Sequence, residues 1–232
     1  MGSNPSPAEI PRTPYCKGFL ICNLQGAKIE NMKNNIDIAK PSQKEVGYYL
    51  ELWDSLENYT LQESSLRKLF TKTYPFNNDL DDVLIKVCSL NDFYSTNIFS
   101  PFTVAKHIVK LKIDNSLERE DLAIVNKIAM VEMKGGNVKN FYSFATKYCS
   151  HHKPTAYPIY DSYVDQVLIY FKNKDNFYNF SRKDLKSYEL FRNILENFRT
   201  YYNLDKFNLK QIDKYLWQAG KRFFPKKYIN NI

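Results

Sequence analysis

From Ser42 almost to the end of the chain, apolar side chains return every three or four residues, and that period commits most of the sequence to amphipathic helices. Val46, Tyr49, Leu50, Trp53 and Leu56 form the first such face, opened by Ser42 with Glu45 three residues on, the pattern of a capping box. A second stretch runs from Leu61 to about Tyr74 and is closed by Pro75. A third, from Asp79 to about Leu90, aligns Leu80, Val83, Leu84 and Val87. Ser100-Pro101 places a cap before a proline at the first helical position and opens a helix through Leu111. Ser116 opens the next, with Leu122, Val125, Ile128 and Ala129 on its face, running to about Met133 and stopping at Gly135-Gly136. Helices through Cys149, over Tyr160–Phe171, Leu185–Tyr202 and Leu209–Phe223 complete the set, the last capped by Asn208. The expectation is an all-α fold of some nine helices and at most one strand, over residues 18–24. Residues 1–41, with Pro5, Pro7, Pro11 and Pro14, read as a flexible or irregular N-terminal segment. Residues 42–232 read as a helical domain, as one array or as two subdomains with a cleft between them.

Composition narrows the function. Seven glycines in 232 residues are few for a protein built of tight β-turns, and no run of eighteen apolar residues offers a bilayer span, so no membrane partner is expected. The chain carries 33 basic and 25 acidic residues, a net charge of +8, with a pI near 9.1. A basic domain of this kind collects polyanions, nucleic acid foremost. Cys16, Cys22, Cys88 and Cys149 are scattered, none in the two-residue spacing of a zinc knuckle or redox pair, and there are only three histidines. No metal and no cofactor is expected; the thiols read as reduced and the compartment as cytoplasmic, nucleoid-associated. The N-terminus lacks a basic segment leading into a long apolar run, so secretion is not expected.

The segment from Asp121 to Leu168 carries the chemistry. It reads as a helix, a turn of Gly135, Gly136, Asn137 and Val138, a second helix, a loop bracketed by Pro154 and Pro158, and then a third helix. Two helices joined by such a glycine turn leave backbone N–H groups free at the second helix's start, which suits one phosphate, with Lys134 and Lys139 beside it. The plain alternative is a common helix–helix connector with solvated lysines.

The order hairpin, helix, proline loop, Pro158-Ile159-Tyr160-Asp161-Ser162-Tyr163-Val164 resembles the helix–hairpin–helix DNA glycosylase superfamily. Leu90–Thr96 and the helix from Pro101 resemble that family's early helix–loop–helix, which implies a loop facing the DNA near the extruded base, and the likeness covers roughly Asp79 to Trp217. The turn departs from the family's Leu-Pro-Gly-Val-Gly pattern, reading Met133-Lys134-Gly135-Gly136-Asn137. The resemblance implies that the hairpin grips DNA backbone, that Asp161 is the catalytic aspartate, and that a lysine at the start of the second hairpin helix attacks the sugar, as in the oxidised-guanine branch. Lys139 occupies that place. Lys147, eight residues further on and set between Phe144 and Tyr148, is the rival amine.

An unprotonated amine can attack the anomeric carbon, displace the base and hold the sugar as a Schiff base. Asp161 can stabilise the cationic sugar, or serve only as a helix cap. His151 and His152 read as helix-end residues, His151 in reach of phosphate. Asp213, Trp217 and Gln218 on the last helix fit the polar and stacking groups that hold a flipped base, or else the core. The function implied is a monomeric glycosylase that extrudes and excises a damaged base, most readily 8-oxoguanine, from double-stranded DNA, with strand nicking by β-elimination. The alternatives are a non-catalytic helix–hairpin–helix DNA-binding protein and an all-α scaffold.

Overall fold

The structure is a computed structural model and describes residues 37–225, so the strand expected at 18–24 lies outside the described residues. The described chain is all-α but for one short hairpin. In order it runs α1 (Gln43–Asp54), α2 (Glu57–Lys68) with a π-helical turn (Leu69–Thr73), α3 (Leu80–Tyr94), α4 (Pro101–Leu111), α5 (Asp114–Glu118) and α6 (Ala123–Ala129). Strands β1 (Met130–Glu132) and β2 (Val138–Asn140) follow, then α7 (Tyr142–His152), α8 (Ser162–Asp175), a 3-10 turn (Asp184–Lys186), α9 (Tyr188–Tyr201) and α10 (Leu209–Phe223).

The helix starts follow local chemistry. The Ser42 hydroxyl accepts the Glu45 N–H at 3.1 Å, and Asp79 accepts those of Asp81 and Asp82 at the head of α3. Asn208 and Gln211 cap α10 reciprocally, and Pro101 takes the first position of α4, where its missing N–H costs nothing. The π-helical turn gives out at Tyr74, since the residue before Pro75 is barred from helical backbone. Ahead of α1, Ile38 and Pro41 are buried, and Ile38 donates its N–H to the Tyr170 hydroxyl at 3.0 Å. The helical body thus takes in the chain from Asp37.

The helix expected to run to Met133 is broken twice. Glu120 adopts a left-handed φ of 58° between α5 and α6, and Asp121 restarts the chain by accepting the Ala123 N–H. At Met130 the backbone turns extended, and Val131 pairs with Lys139 in an antiparallel hairpin. Gly135 and Gly136 take φ of +100° and +83°, and the Gly136 N–H donates to the Met133 carbonyl at 3.0 Å. The glycine pair therefore turns a β-hairpin, not a helical one. β-Branched Val131 and Val138 favour extended backbone, and two consecutive positive-φ residues suit the twist of a tight strand reversal.

Two features hold the helices around what becomes the site. Gly220 of α10 touches α8 so closely that a Cβ there would lie 2.6 Å from the Tyr163 Cβ and 2.7 Å from its carbonyl oxygen. Further in, the fully buried Lys86 ammonium donates to the Tyr74 and Phe76 carbonyls and to Asn77 Oδ1 at 2.6 Å. Asn77 Oδ1 also accepts the Tyr148 hydroxyl at 2.6 Å, and the Asn77 amide donates to Asp114 at 2.6 Å. This network ties the loop before α3 to α5 and α7.

Candidate active site

A cleft of about 600 Å³ opens among α1, α2, the end of α3, and the facing sides of α7, α8 and α10. That volume falls within the range of small-molecule pockets, about 300–1,000 Å³. Lys147, Asp161, Asp213 and Trp217 all line it.

Lys147 comes from the second turn of α7 and is 4% exposed. Its amine donates to Ser143 Oγ at 2.6 Å, one helical turn back, and lies 5.3 Å from the centre of the Tyr94 ring. Asp161 opens α8 as its N-cap, with Oδ1 accepting the N–H groups of Tyr163 at 2.9 Å and Val164 at 3.0 Å. Cap and site are therefore one residue, and Oδ2 is left as an acceptor for whatever enters. The proline-bracketed loop between the two helices is held by Thr146, whose hydroxyl accepts the Tyr160 N–H at 3.2 Å, and by Ser143 donating to the Tyr160 carbonyl.

The opposite wall is one stripe of α10. Lys210, Asp213, Lys214, Trp217 and Lys221 recur at three- and four-residue spacing and all face the cleft. Burial pushes the Asp213 carboxyl up to about 7; the Lys210 cation 3.6 Å away opposes that, and the Asp161 charge adds to it. Glu63 from α2 pairs with Lys214 at 2.7 Å and with Lys210 at 3.4 Å; burial opposes its ionisation, but the two cations outweigh it and its carboxyl lies below the usual value. Burial likewise drives the Tyr94 phenol up to about 12, so it stays protonated.

Trp217 sits in an aromatic group, edge-on to Tyr59 at 5.1 Å, to Trp53 at 5.8 Å and to Tyr163 at 6.3 Å. Lys221 lies 5.0 Å from the Trp217 ring and Lys214 4.8 Å from the Trp53 ring. At the other rim the Lys186 ammonium donates to the Tyr160 hydroxyl at 2.6 Å, and its partial burial lowers its proton affinity.

Several expectations are corrected. Lys139 is on exposed β2, three residues before α7 begins, and does not line the cleft; the break of helix into hairpin moves it out of reach. Gln218 turns away from the cleft and donates its amide to the Tyr49 carbonyl at 2.7 Å, so it joins α10 to α1. His151 is 6% exposed, hydrogen-bonded to the Tyr94 hydroxyl at 3.0 Å and packed on Phe70, and burial holds its pKa down to about 3. A neutral, enclosed imidazole does not contact phosphate; it props Tyr94 from behind. Lys134, Gly135, Gly136, Asn137 and Val138 are exposed on the hairpin. Tyr94, in the segment the resemblance places near the extruded base, lines the cleft, whereas Glu63, Lys210, Trp53 and Tyr59 escaped the sequence reading as site residues. The polar stripe on an otherwise apolar α10 was the signal for Lys210, whereas Glu63 arrives from a helix distant in sequence and carries no local mark.

Among the described residues no three His, Cys, Asp or Glu side chains gather as metal ligands, and no helix is long and apolar enough to cross a membrane. Cys149 is buried and Cys88 exposed, both unbridged.

The HI_0787_N family model, described as an N-terminal domain, matches residues 45–156, which takes in α1 to α7 and so the helix bearing Lys147. A protein of Haemophilus influenzae (strain ATCC 51907 / DSM 11121 / KW20 / Rd), itself described as uncharacterized, is 50% identical over 148 residues, covering 63% of this chain and 70% of that protein. No solved structure matches the chain. With half the residues shared over more than two thirds of that relative, the chain belongs to the same family as the Haemophilus influenzae protein.

Proposed function

We propose that the chain is a DNA glycosylase with β-lyase activity, with Lys147 as nucleophile. The observation that carries this reading is the convergence of a buried amine from α7 and a helix-capping carboxylate from α8 on a single aromatic-walled cleft. In the reaction the Lys147 amine attacks through its lone pair and forms a bond to the anomeric carbon of the nucleotide. The glycosidic bond breaks, its electron pair leaves with the base, and the base takes up a proton. Asp213, near neutrality, is placed to hold or give that proton. Asp161 stabilises the positive charge that develops on the sugar. The sugar ring then opens: the bond between the anomeric carbon and the ring oxygen breaks, the ring oxygen takes up the proton shed by the amine, and the nitrogen lone pair closes the iminium. Loss of a proton from the adjacent carbon next supplies the electrons, and the 3′ phosphate departs.

The walls suit such a substrate. Trp217 and its neighbours offer faces and edges for an extruded base, and Lys186, Lys214 and Lys221 edge the cleft for the flanking phosphates. A non-catalytic DNA-binding module has no use for a buried amine beside two carboxylates in a cavity of this size. The test is base release and borohydride trapping on an 8-oxoguanine duplex. Wild-type protein and Lys139→Gln are expected to release base and trap, and Lys147→Gln to do neither. Trapping by Lys147→Gln, or none by the wild type on any lesion duplex, overturns the reading.

A further inference from the structure

The rim of the cleft beside α8 holds a chain of hydrogen bonds that the attack on the sugar does not use. The Lys186 ammonium, on the 3-10 turn before α9, donates to the Tyr160 hydroxyl at 2.6 Å. Tyr160 donates that hydroxyl to Asp165 Oδ2 at 2.8 Å, and Asp165 Oδ1 accepts the Arg182 Nε–H at 2.7 Å. Tyr160 and Asp165 are both 5% exposed, whereas the Arg182 side chain is 61% exposed. A second cavity of about 290 Å³ shares Tyr160, Ser162 and Lys186 with the cleft, while Asp165 and Arg182 line it and not the cleft. The chain of bonds leads from an amine in the cleft, through an enclosed phenol and carboxylate, to a solvated guanidinium.

Both ends of this chain suit proton transfer. Burial lowers the proton affinity of Lys186; the Asp165 charge opposes that, and the Arg182 cation adds to it. Burial, and then the hydrogen bond to Asp165, keep the Tyr160 phenol protonated, so it accepts a proton only by giving one up. Lys186 also stands near the reacting atoms. Its ammonium lies 5.9 Å from the centre of the Tyr142 ring, next in the chain to Ser143, which holds the Lys147 amine. Resting on the reading of the cleft as a base-excision site, we propose that Lys186 is the base that takes the proton from the carbon beside the anomeric carbon, and that Tyr160 and Asp165 carry it to the second cavity. The Lys186 lone pair takes the proton, and the C–H pair closes a double bond to the anomeric carbon and neutralises the iminium. The enamine so formed expels the 3′ phosphate with the pair of its carbon–oxygen bond. The Lys186 ammonium then gives a proton to the Tyr160 oxygen while the phenol gives its own to Asp165, which releases it to solvent. With DNA over the cleft, the same path frees the amine before the step. Lys186 is the catalytic residue, and Tyr160 and Asp165 act through it.

Two single-turnover rates at saturating protein test it: base release from an 8-oxoguanine duplex, and nicking of a duplex that already bears an abasic site. Both come from one protein sample, so a loss of folded protein cancels in their ratio. Lys186→Arg keeps a cation at the rim but no amine able to take a proton. Its ratio of nicking to release is expected to fall by about a hundredfold, the order that a general base supplies. The covalent adduct should then outlive that of the wild type, and borohydride should capture more of it. Tyr160→Phe keeps the ring and its packing but breaks the relay, and its ratio is expected to fall by about tenfold. A ratio within about twofold of wild type in Lys186→Arg, an equal loss of both rates included, overturns the base, and the same result in Tyr160→Phe overturns the relay. Wild-type protein that releases base and traps but does not nick overturns this proposal and leaves the excision reading standing. Wild-type protein that neither releases base nor traps overturns both.

Discussion

Asp161 and Asp213 share one cleft in opposite surroundings. Asp161 sits half-exposed at a helix start and accepts two backbone N–H groups; Asp213 is enclosed among α10 side chains and is pushed up to about 7 by that burial. The consequence for stability has a definite sign. A carboxyl raised in the folded protein binds a proton there that the unfolded chain, near 3.8, has lost, so its contribution falls as pH rises from about 4 to 7. His151 and His152, held by burial to about 3, act in the other direction: stability present above pH 6.5 is lost as pH falls towards 3. Asp213→Asn removes the opposing proton and should steepen the acid-side fall in stability by about one proton, roughly 1.4 kcal/mol per pH unit, between pH 4.5 and 6. Denaturant melts across that range read it directly; a slope equal to wild type would show Asp213 ionised in the folded protein. If Asp213 handles the proton of the leaving base, the same variant also loses the limb of the release-rate profile near pH 7.

At the scale of elements, the site depends on two helix contacts. Gly220 lets α10 meet α8 at Tyr163, which sets the stripe bearing Asp213 and Trp217 against the helix that Asp161 caps. Gly220→Ala gains about 1 kcal/mol of helix propensity but forces a Cβ into backbone at 2.7 Å, so a net loss of about 1–2 kcal/mol is expected, with base release reduced beyond what unfolding explains. Behind α7, Asn77→Ala leaves the buried Lys86 ammonium and the Tyr148 hydroxyl short of a partner and should cost about 2–4 kcal/mol in chemical denaturation. Most elements were legible locally, because Ser42, Asp79, Pro101 and Asn208 each announce a helix start by side-chain chemistry alone. The hairpin was not. Gly135-Gly136 stops a helix and turns a strand equally well, and the choice was made by the pairing of Val131 with Lys139, which no window before the turn contains. Gln218 failed for a similar reason, since residues 213 and 217 share a face while 218 lies about 100° round the helix, against α1.

Over the described residues, the cleft gathers side chains from α1 to α10, and sequence supplied those that fall in one motif stretch or on one helix face. Lys147, Asp161, Asp213 and Trp217 were within reach of that reasoning; Glu63 was not, because only packing brings it in. Basic residues also lie beyond the cleft, on the exposed hairpin, where Lys134 and Lys139 stand outside the cleft lining. Lys134→Ala and Lys139→Ala should each lower the slope of log affinity against log salt for duplex DNA by about one and leave trapping intact. A salt slope unchanged in both would place the DNA elsewhere on the surface. If the cleft excises bases as proposed, one lysine bears the sugar, and peptide mapping of the borohydride-trapped complex with an 8-oxoguanine duplex reads which. The deoxyribose remnant is expected on the peptide containing Lys147; a remnant on Lys139 or any other lysine, or no covalent complex, contradicts it.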